Sequence, residues 1–131
     1  MEELKLGLTA EASEFVSEQL TAVSVRSGLV SAYATPAMIA LMENAAVTAL
    51  QKCLSKGQTS VGVEVNVKHL AATPVGVRVR ARAQVIAIEE RRVTFQIEAW
   101  DPHDRIGEGT HTRVIVDAAR FKNKVEQKLR A

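Results

Sequence analysis

Three polar side chains stand where the sequence pattern predicts apolar surroundings. Glu43 lies in the middle of the apolar stretch TPAMIALMENAAVTALQKCLSK, which Thr35 opens, and His69 ends a later stretch of alternating valines. A carboxylate is costly to bury without a partner, and histidine is the side chain best suited to proton transfer near neutral pH. A hydroxyl, a carboxylate and an imidazole brought together would suit acid–base or nucleophilic chemistry.

Each of these residues also has a structural interpretation. Glu43 could be held by an arginine or by backbone donors, as most buried acids are. His69 could be a core histidine with a satisfied ring, and Thr35 could cap a helix. The functional interpretation gains weight because Glu43 and His69 are predicted on facing surfaces of one helix and one strand. His103 and His111 are weaker candidates.

The helix that must position Glu43 is predicted over about residues 36–56. Thr35 suits its N-cap and Pro36 its first position, whereas Lys56 and Gly57 suit its C-terminal end. The first turn of a helix has unpaired backbone N–H groups, and here Ala37 and Met38 would carry them. Such donors can bind a developing oxyanion.

A strand is predicted after residue 57, where the apolar period changes to two. Its apolar side chains are those of Val61, Val63, Val65 and Val67. The same alternation places His69 on the helix-facing side. Gly62 could offer a backbone N–H at close approach, because no side chain stands in the way.

The remaining pattern predicts an α+β fold. Residues 77–88, 93–99 and 107–116 form three further strand segments, and extended structure is possible near residues 12–16. Connections this short favour an antiparallel sheet, which would pack on the one long helix. A short amphipathic helix is predicted over residues 118–131.

Composition favours one domain over residues 1–131 and excludes several classes of function. The 17 basic and 15 acidic residues are interspersed, so no nucleic-acid partner is expected. Cys53 is alone, which excludes a disulfide framework, and no residues have metal-ligand spacing. No apolar run reaches the length of a membrane span, and the acidic N-terminus does not resemble a signal peptide. A cytoplasmic protein is expected.

Three segments resemble one known family. ATPAMIALMENAAV, VGVEVNVKHLAATPVG and IGEGTHTRVIV are similar to the fluoroacetyl-CoA thioesterase-like family of hot-dog-fold thioesterases, from about Ala34 onward. The resemblance implies an antiparallel sheet wrapped around one central helix, and hydrolysis of a small acyl-CoA. The implied catalytic residues are Thr35, Glu43 and His69. Gly62 and Arg113 are implied to bind substrate. No cofactor is implied, since coenzyme A enters with the substrate.

The chain departs from the family in the segment before the helix. Family members specialised for fluoroacetyl groups carry aromatic residues there, which form a lid over the acyl pocket. Between Gln19 and Ala34 this chain has only Tyr33. The resemblance therefore implies thioester hydrolysis without implying selectivity for fluoroacetyl groups.

Helix geometry predicts a composite site. A helix rises about 1.5 Å per residue, so Thr35 and Glu43 of one chain lie roughly 12 Å apart along its axis. Two helices packed antiparallel in a homodimer would bring Thr35 of one chain close to Glu43 of the other. A homodimer with its sites at the interface is expected.

Two chemical routes remain open at this site. Glu43 could attack the thioester and form an anhydride, which water activated by His69 would resolve. Alternatively His69, oriented by Glu43, could activate water or the Thr35 hydroxyl. Two other classes of function are also possible: a dehydratase or hydratase acting on acyl thioesters, and a non-catalytic acyl-CoA-binding protein. Release of free thiol would distinguish hydrolysis from both.

Overall fold

A long helix packs against one antiparallel sheet in the computed structural model, which describes residues 1–130. The helices are α1 (Ala22–Val25), α2 (Thr35–Gln51) and α3 (Ala118–Glu126), with 3₁₀ turns at Glu18–Leu20 and Gln127–Arg130. The strands are β1 (Thr9–Phe15), β2 (Gln58–His69), β3 (Arg78–Glu89), β4 (Arg92–Trp100) and β5 (Arg105–Asp117). Their order across the sheet is β1-β3-β4-β5-β2, and every neighbouring pair is antiparallel.

The predicted α+β architecture is confirmed, with four of the strands in the predicted order after the helix. The fifth strand, β1, covers more than the extended structure expected near residues 12–16. It pairs with β3 from Thr9 opposite Gln84 to Phe15 opposite Arg78. Strands β1 and β2 are therefore the two edges of the sheet, and β2 pairs on one side only.

The core lies between the sheet and one face of α2. Small and large apolar side chains alternate on that face, which allows the helix to approach the strands closely. The buried residues of α2 are Met38, Leu41, Met42, Ala45, Ala46, Ala49 and Leu50. From the sheet, Phe95 and Ile97 of β4 and Ile106 of β5 are completely buried against it. The remaining face of α2, which includes Ala40, Glu43 and Asn44, is partly or fully exposed.

Helix α2 differs from the prediction at both ends. Ala34 has the extended N-cap conformation, with φ −74° and ψ 140°, and Thr35 is the first helical residue. The prediction of Thr35 as the N-cap is therefore wrong. The predicted end near residue 56 is also wrong, because the helix stops at Gln51. The following residues turn toward β2, and Gly57 has a positive φ of 89° directly before that strand.

The alternation predicted for β2 is interrupted by a β-bulge. The register with β5 shifts between Gly62 and Glu64, so Val63 has no partner of its own. Gly62, before the bulge, and His69, after it, both face α2. The prediction that Val61 shares a face with His69 is wrong, because the bulge between them exchanges the two faces.

The C-terminal helix forms, but its apolar side chains are not buried. α3 and the following 3₁₀ turn end at Arg130, and residue 131 of the predicted helix lies outside the described residues. Phe121, Val125 and Leu129 are all exposed. Within residues 1–130, no helix is both long and apolar enough to cross a bilayer.

Candidate active site

Thr35 and His69 form a direct hydrogen bond. The Oγ1 atom of Thr35 lies 2.7 Å from Nδ1 of His69. This contact is possible because Ala34, rather than Thr35, occupies the N-cap, which leaves the hydroxyl free to face β2. The helix start and the strand end together therefore position a hydroxyl against an imidazole, the arrangement by which a histidine activates a hydroxyl.

The second ring nitrogen of His69 is available for chemistry. Its Nε2 atom is buried and has no hydrogen-bond partner within residues 1–130. Burial lowers the pKa of His69 below its ordinary value, and the backbone of Ala71 acts in the opposite direction. A neutral imidazole near pH 7 follows, which is the form that accepts protons. A cavity of about 360 Å³ adjoins this pair and is lined by Tyr33, Thr35, His69, Leu70, Ala71 and Ala72.

Only one of the two predicted helix amides remains open. The Met38 N–H donates to the carbonyl of Ala34 at 3.0 Å, so the prediction of a free donor at Met38 is wrong. The Ala37 N–H has no backbone partner within residues 1–130. It lies two residues from Thr35 in the first turn of the helix, where it can donate to a negatively charged oxygen.

Glu43 belongs to a second cluster, in the middle of α2. Its Oε2 atom lies 3.5 Å from Nη1 of Arg113 and 3.8 Å from Nε2 of His111. The Glu43 side chain is 38% exposed, whereas both partners are buried. The carboxylate therefore faces outward from two buried donors. The apolar sequence around it does not make it a core residue.

Gly62 provides the space in which this cluster forms. A Cβ atom at Gly62 would lie 2.8 Å from Oε2 of Glu43 and 3.2 Å from Nη1 of Arg113. The bulge in β2 turns Gly62 toward α2 at the level of Glu43. Sequence analysis identified Gly62 as a site of close approach, and the group that approaches it is the carboxylate.

Replacing Gly62 with alanine should reduce turnover with little effect on folding. The new Cβ would displace the Glu43 carboxylate, which can move because its side chain is partly exposed. If this carboxylate is catalytic, as the family resemblance implies, a shift of about 1 Å can cost about 100-fold in rate, and we expect kcat for the implied thioester hydrolysis to fall about 10- to 100-fold. Gly28→Ala is the control, since its Cβ would make only an ordinary 3.4 Å contact with Ala22. Unchanged kcat in Gly62→Ala would contradict this role.

The two clusters are far apart within one chain. Gly62 lies against the Glu43 cluster, and His69 is seven residues further along β2. At about 3.3 Å per residue, Gly62 and His69 are roughly 20 Å apart. Of the three catalytic residues that the family resemblance implies, Thr35 and His69 are thus brought together in one chain. Glu43 is not brought to them in that chain.

Two residues of the Glu43 cluster were missed or underrated by sequence analysis. Ser60 accepts a hydrogen bond from Nε of Arg113 at 2.9 Å through its hydroxyl, and its carbonyl accepts one from Nη2 at 3.1 Å. His111 is completely buried beside Arg113. Its spacing of two residues from Arg113 on a strand was a signal that both share one face.

Other candidates in the chain do not form a site of this kind. A larger cavity of about 490 Å³ lies over β1, β3 and Trp100. It contains none of the predicted site residues, and its Arg80 is already stacked 4.2 Å from the Trp100 ring and paired with Glu11. Burial raises the pKa of the Cys53 thiol, which therefore stays protonated near neutrality. Within residues 1–130, no group of acids, histidines and cysteine could hold a metal ion.

Comparison with known proteins places the chain among thioesterases. The family of fluoroacetyl-CoA-specific thioesterases, FlK, matches residues 16–119. The fluoroacetyl-CoA thioesterase of Streptantibioticus cattleyicolor is 41% identical over 96 residues, which cover 73% of this chain and 69% of that protein.

Solved structures give the same result. A crystal structure of a point mutant of the FlK thioesterase, in complex with fluoroacetate and CoA, is 31% identical with a TM-score of 0.85, covering 90% of this chain and 99% of that one. A hot-dog-like protein from Thermanaerovibrio acidaminovorans is 29% identical with a TM-score of 0.87, covering 95% and 93% of the two chains.

These matches define the class of protein first. The five-stranded sheet around α2 is a hot-dog fold, and the chain is a thioesterase that hydrolyses acyl-CoA thioesters. Within that class, it belongs to the FlK family of fluoroacetyl-CoA-specific thioesterases. The fold and family implied by the motif segments are confirmed.

Proposed function

We propose that this protein hydrolyses a small acyl-CoA to the free acid and CoA at sites shared between the two chains of a homodimer. The observation that carries the proposal is the hydrogen bond between Thr35 and His69, which leaves the second ring nitrogen buried and unpartnered beside a cavity. This pair can activate a nucleophile, but one chain gives it no carboxylate.

The edge strand β2 supports assembly into a dimer. Its outer edge pairs with no strand among residues 1–130, and the side chains of Val63 and Val65 are 49% and 38% exposed. An unpaired edge with exposed apolar residues is a template for pairing with another strand. Next to it, the partly exposed face of α2 carries Ile39, Ala40 and Val47 around Glu43.

One two-fold axis completes both sites at once. If two β2 strands pair antiparallel about an axis between Val65 and Asn66, His69 of one chain lies opposite the partner's Gly62. Ile39 of α2 is midway between Thr35 and Glu43, and the same axis would pass near it. Thr35 of one chain and the partner's Glu43 would then each lie about 6 Å from the axis, measured along their helices. The strands and the helices therefore favour the same arrangement.

In the assembled site each residue has a distinct role. Thr35 and His69 of one chain face the partner's Glu43, which Arg113 and His111 hold from behind. The open Ala37 N–H can donate to the thioester oxygen as negative charge develops on it. Glu43 then acts as the nucleophile that forms an anhydride, or as the group that orients His69 while it activates water or Thr35.

Glu43→Gln and His69→Ala should each lose far more in kcat than in KM. Both side chains act on the reacting atoms, so their loss removes interactions made in the transition state. We expect kcat to fall by at least about 1,000-fold for each variant, with KM within about threefold, measured by steady-state thiol release. Glu89→Gln, an exposed acid at the end of β3, is the matched control. Unimpaired turnover by Glu43→Gln would remove the acid from the mechanism.

Isotope labelling separates the two routes. In single-turnover hydrolysis in ¹⁸O-labelled water, only the anhydride route transfers label into the carboxylate of Glu43. Mass spectrometry of the peptide that contains Glu43 detects it. Label in Glu43 would establish the anhydride route, whereas unlabelled Glu43 would exclude only an anhydride that water opens at the glutamyl carbonyl.

The acyl group is proposed to be small and without special selectivity for fluoroacetyl. Tyr33, the sole aromatic residue between Gln19 and Ala34, is buried, and its hydroxyl donates to Glu14 at 2.5 Å. Burial, followed by the contact with Glu14, raises the pKa of Tyr33. A side chain held in this way is a wall of the cavity and does not open and close over it.

A substrate panel tests the proposed function directly. Acetyl-, fluoroacetyl-, propionyl-, isobutyryl- and benzoyl-CoA would be compared by release of free thiol. We expect hydrolysis of the small acyl groups with similar kcat/KM for acetyl- and fluoroacetyl-CoA. Binding without release of thiol across the panel would contradict the proposal.

A further inference from the structure

We infer that His111 is a positioning residue for Glu43: as a neutral imidazole it accepts a hydrogen bond from Arg113 and so fixes the guanidinium that faces the catalytic carboxylate. The inference rests on the proposed function, because it assigns a purpose to the orientation of Glu43. His111 is completely buried, and its ring nitrogens face Glu64 and Arg113.

The hydrogen bonds of His111 determine which ring nitrogen carries the proton. Nδ1 lies 2.8 Å from the backbone carbonyl of Glu64. A carbonyl oxygen only accepts, so Nδ1 must donate. In the neutral ring, Nε2 is then an acceptor, and Nη1 of Arg113 donates to it at 3.2 Å. Glu64, whose carbonyl accepts this hydrogen bond, directly follows the bulge in β2.

The surroundings keep this ring neutral and fixed in plane. Burial lowers the pKa of His111 and the nearby charge of Arg113 lowers it further, whereas the carbonyl of Glu64 and the charge of Glu43 act in the opposite direction. The charged groups facing the ring are Arg113 from β5 and Glu43 from α2. Phe95 of β4 stacks on it, with ring centres 6.4 Å apart and an interplanar angle of 28°.

Arg113 depends on His111 for the direction of one nitrogen. Its Nε and Nη2 atoms donate to the hydroxyl and carbonyl of Ser60. Nη1 is left to face both His111, at 3.2 Å, and the carboxylate of Glu43, at 3.5 Å. The guanidinium is planar and its donors form a rigid fork, so the two bonds to Ser60 leave its plane free to rotate only about the line through their acceptors, and a third acceptor at Nη1 stops that rotation.

Two amide substitutions separate the two functions of the ring. In His111→Asn the side-chain NH₂ can take the place of Nδ1 and donate to Glu64, but no acceptor reaches Arg113. In His111→Gln the longer side chain can place its oxygen where Nε2 was, which retains the acceptor and gives up the donor. Both variants lose the stacking of the ring on Phe95, and they differ from each other in size by only one methylene group.

The two variants should differ in kcat and agree in stability. We expect His111→Asn to lose about 10- to 100-fold in kcat, as is typical when a hydrogen bond to a charged group is removed, and His111→Gln to stay within about fivefold of wild type. KM should change less than kcat in both. Their melting temperatures should fall together, because each has lost the same buried ring. Equal kcat in the two variants would overturn the inference, since a purely structural role affects both alike.

A spectroscopic measurement tests the inference without reference to turnover. Long-range ¹H–¹⁵N correlation spectra of histidine-labelled protein distinguish the two neutral tautomers and the imidazolium. We expect His111 at pH 7 to carry its proton on Nδ1 and to have a bare Nε2. An imidazolium, or a proton on Nε2, would overturn the inference even in an active enzyme. A wild-type protein that releases no thiol would instead refute the proposed function and leave this test intact.

Discussion

An equimolar mixture of Glu43→Gln and His69→Ala chains, refolded together, should recover about one quarter of wild-type activity, although each variant alone is almost inactive. The reason is the roughly 20 Å that separates Gly62 and Glu43 from His69 along β2 of one chain. In a mixed dimer, one site combines the intact Glu43 of one chain with the intact His69 of the other. Random assembly makes about half of the dimers mixed, and each has one functional site of two.

The recovery is measured by unfolding an equimolar mixture, refolding it together, and assaying thiol release. Refolding each variant separately and then combining them without exchange gives the baseline. A chain carrying both substitutions is the matched control. Mixed with wild-type chains, it should form mixed dimers that have no complete site. The activity of the mixture should then fall below the share of its chains that are wild type. If activity does not recover in the first mixture, each site lies within one chain and the composite arrangement is wrong.

Gly109→Ala should be the most damaging single methyl group that can be added to the sheet. Gly109 of β5 lies opposite Val67 of β2, and a Cβ there would collide with the carbonyl of Asn66 and lie 2.7 Å from Cα of Val67. These are backbone atoms, so the clash is relieved only by separating β2 from β5. We expect the free energy of unfolding to fall by more than about 3 kcal/mol.

Gly107→Ala is the control on the same strand. Its Cβ would lie 2.6 Å from Sδ of Met38 and 2.9 Å from Cε of Met42, both at the ends of flexible side chains. These can move aside, so we expect a loss of about 1 kcal/mol. Both variants are compared by denaturant unfolding at one protein concentration, because dimerisation would stabilise the folded state. Equal losses would show that the backbone contact at Gly109 is relieved without separating the strands.

The strands were predictable because their signal is local. Alternation of apolar and polar residues, together with short turns, predicted the α+β class and four strands in their order along the chain. Strand β1 was harder to predict, since TAEASEF alternates small residues with acids and has little apolar contrast. The bulge at Gly62–Glu64 depends on pairing with β5. The residues VGVEV alone do not indicate a bulge.

The candidate site was predicted in its residue types but not in its arrangement. Thr35 has the preferred type for an N-cap, yet its hydroxyl bonds His69, a residue 34 positions away in sequence. Glu43 seemed buried because its neighbours in sequence are apolar. Its exposure depends on which face of α2 the sheet covers. His111 seemed weak because its partner, the carbonyl of Glu64, is a backbone group that a sequence does not distinguish.

The bulge in β2 constrains the number of residues between Gly62 and His69. Gly62 and His69 are an odd number of residues apart, and in a regular strand such residues point to opposite faces. The one extra residue at Val63 brings both onto the face of α2. Substitutions in this segment can be absorbed one at a time, but deleting or inserting a single residue would turn either the glycine or the histidine away from the helix. Changes in length between them would therefore have to come in pairs, which makes this short segment constrained in residue number as well as residue type.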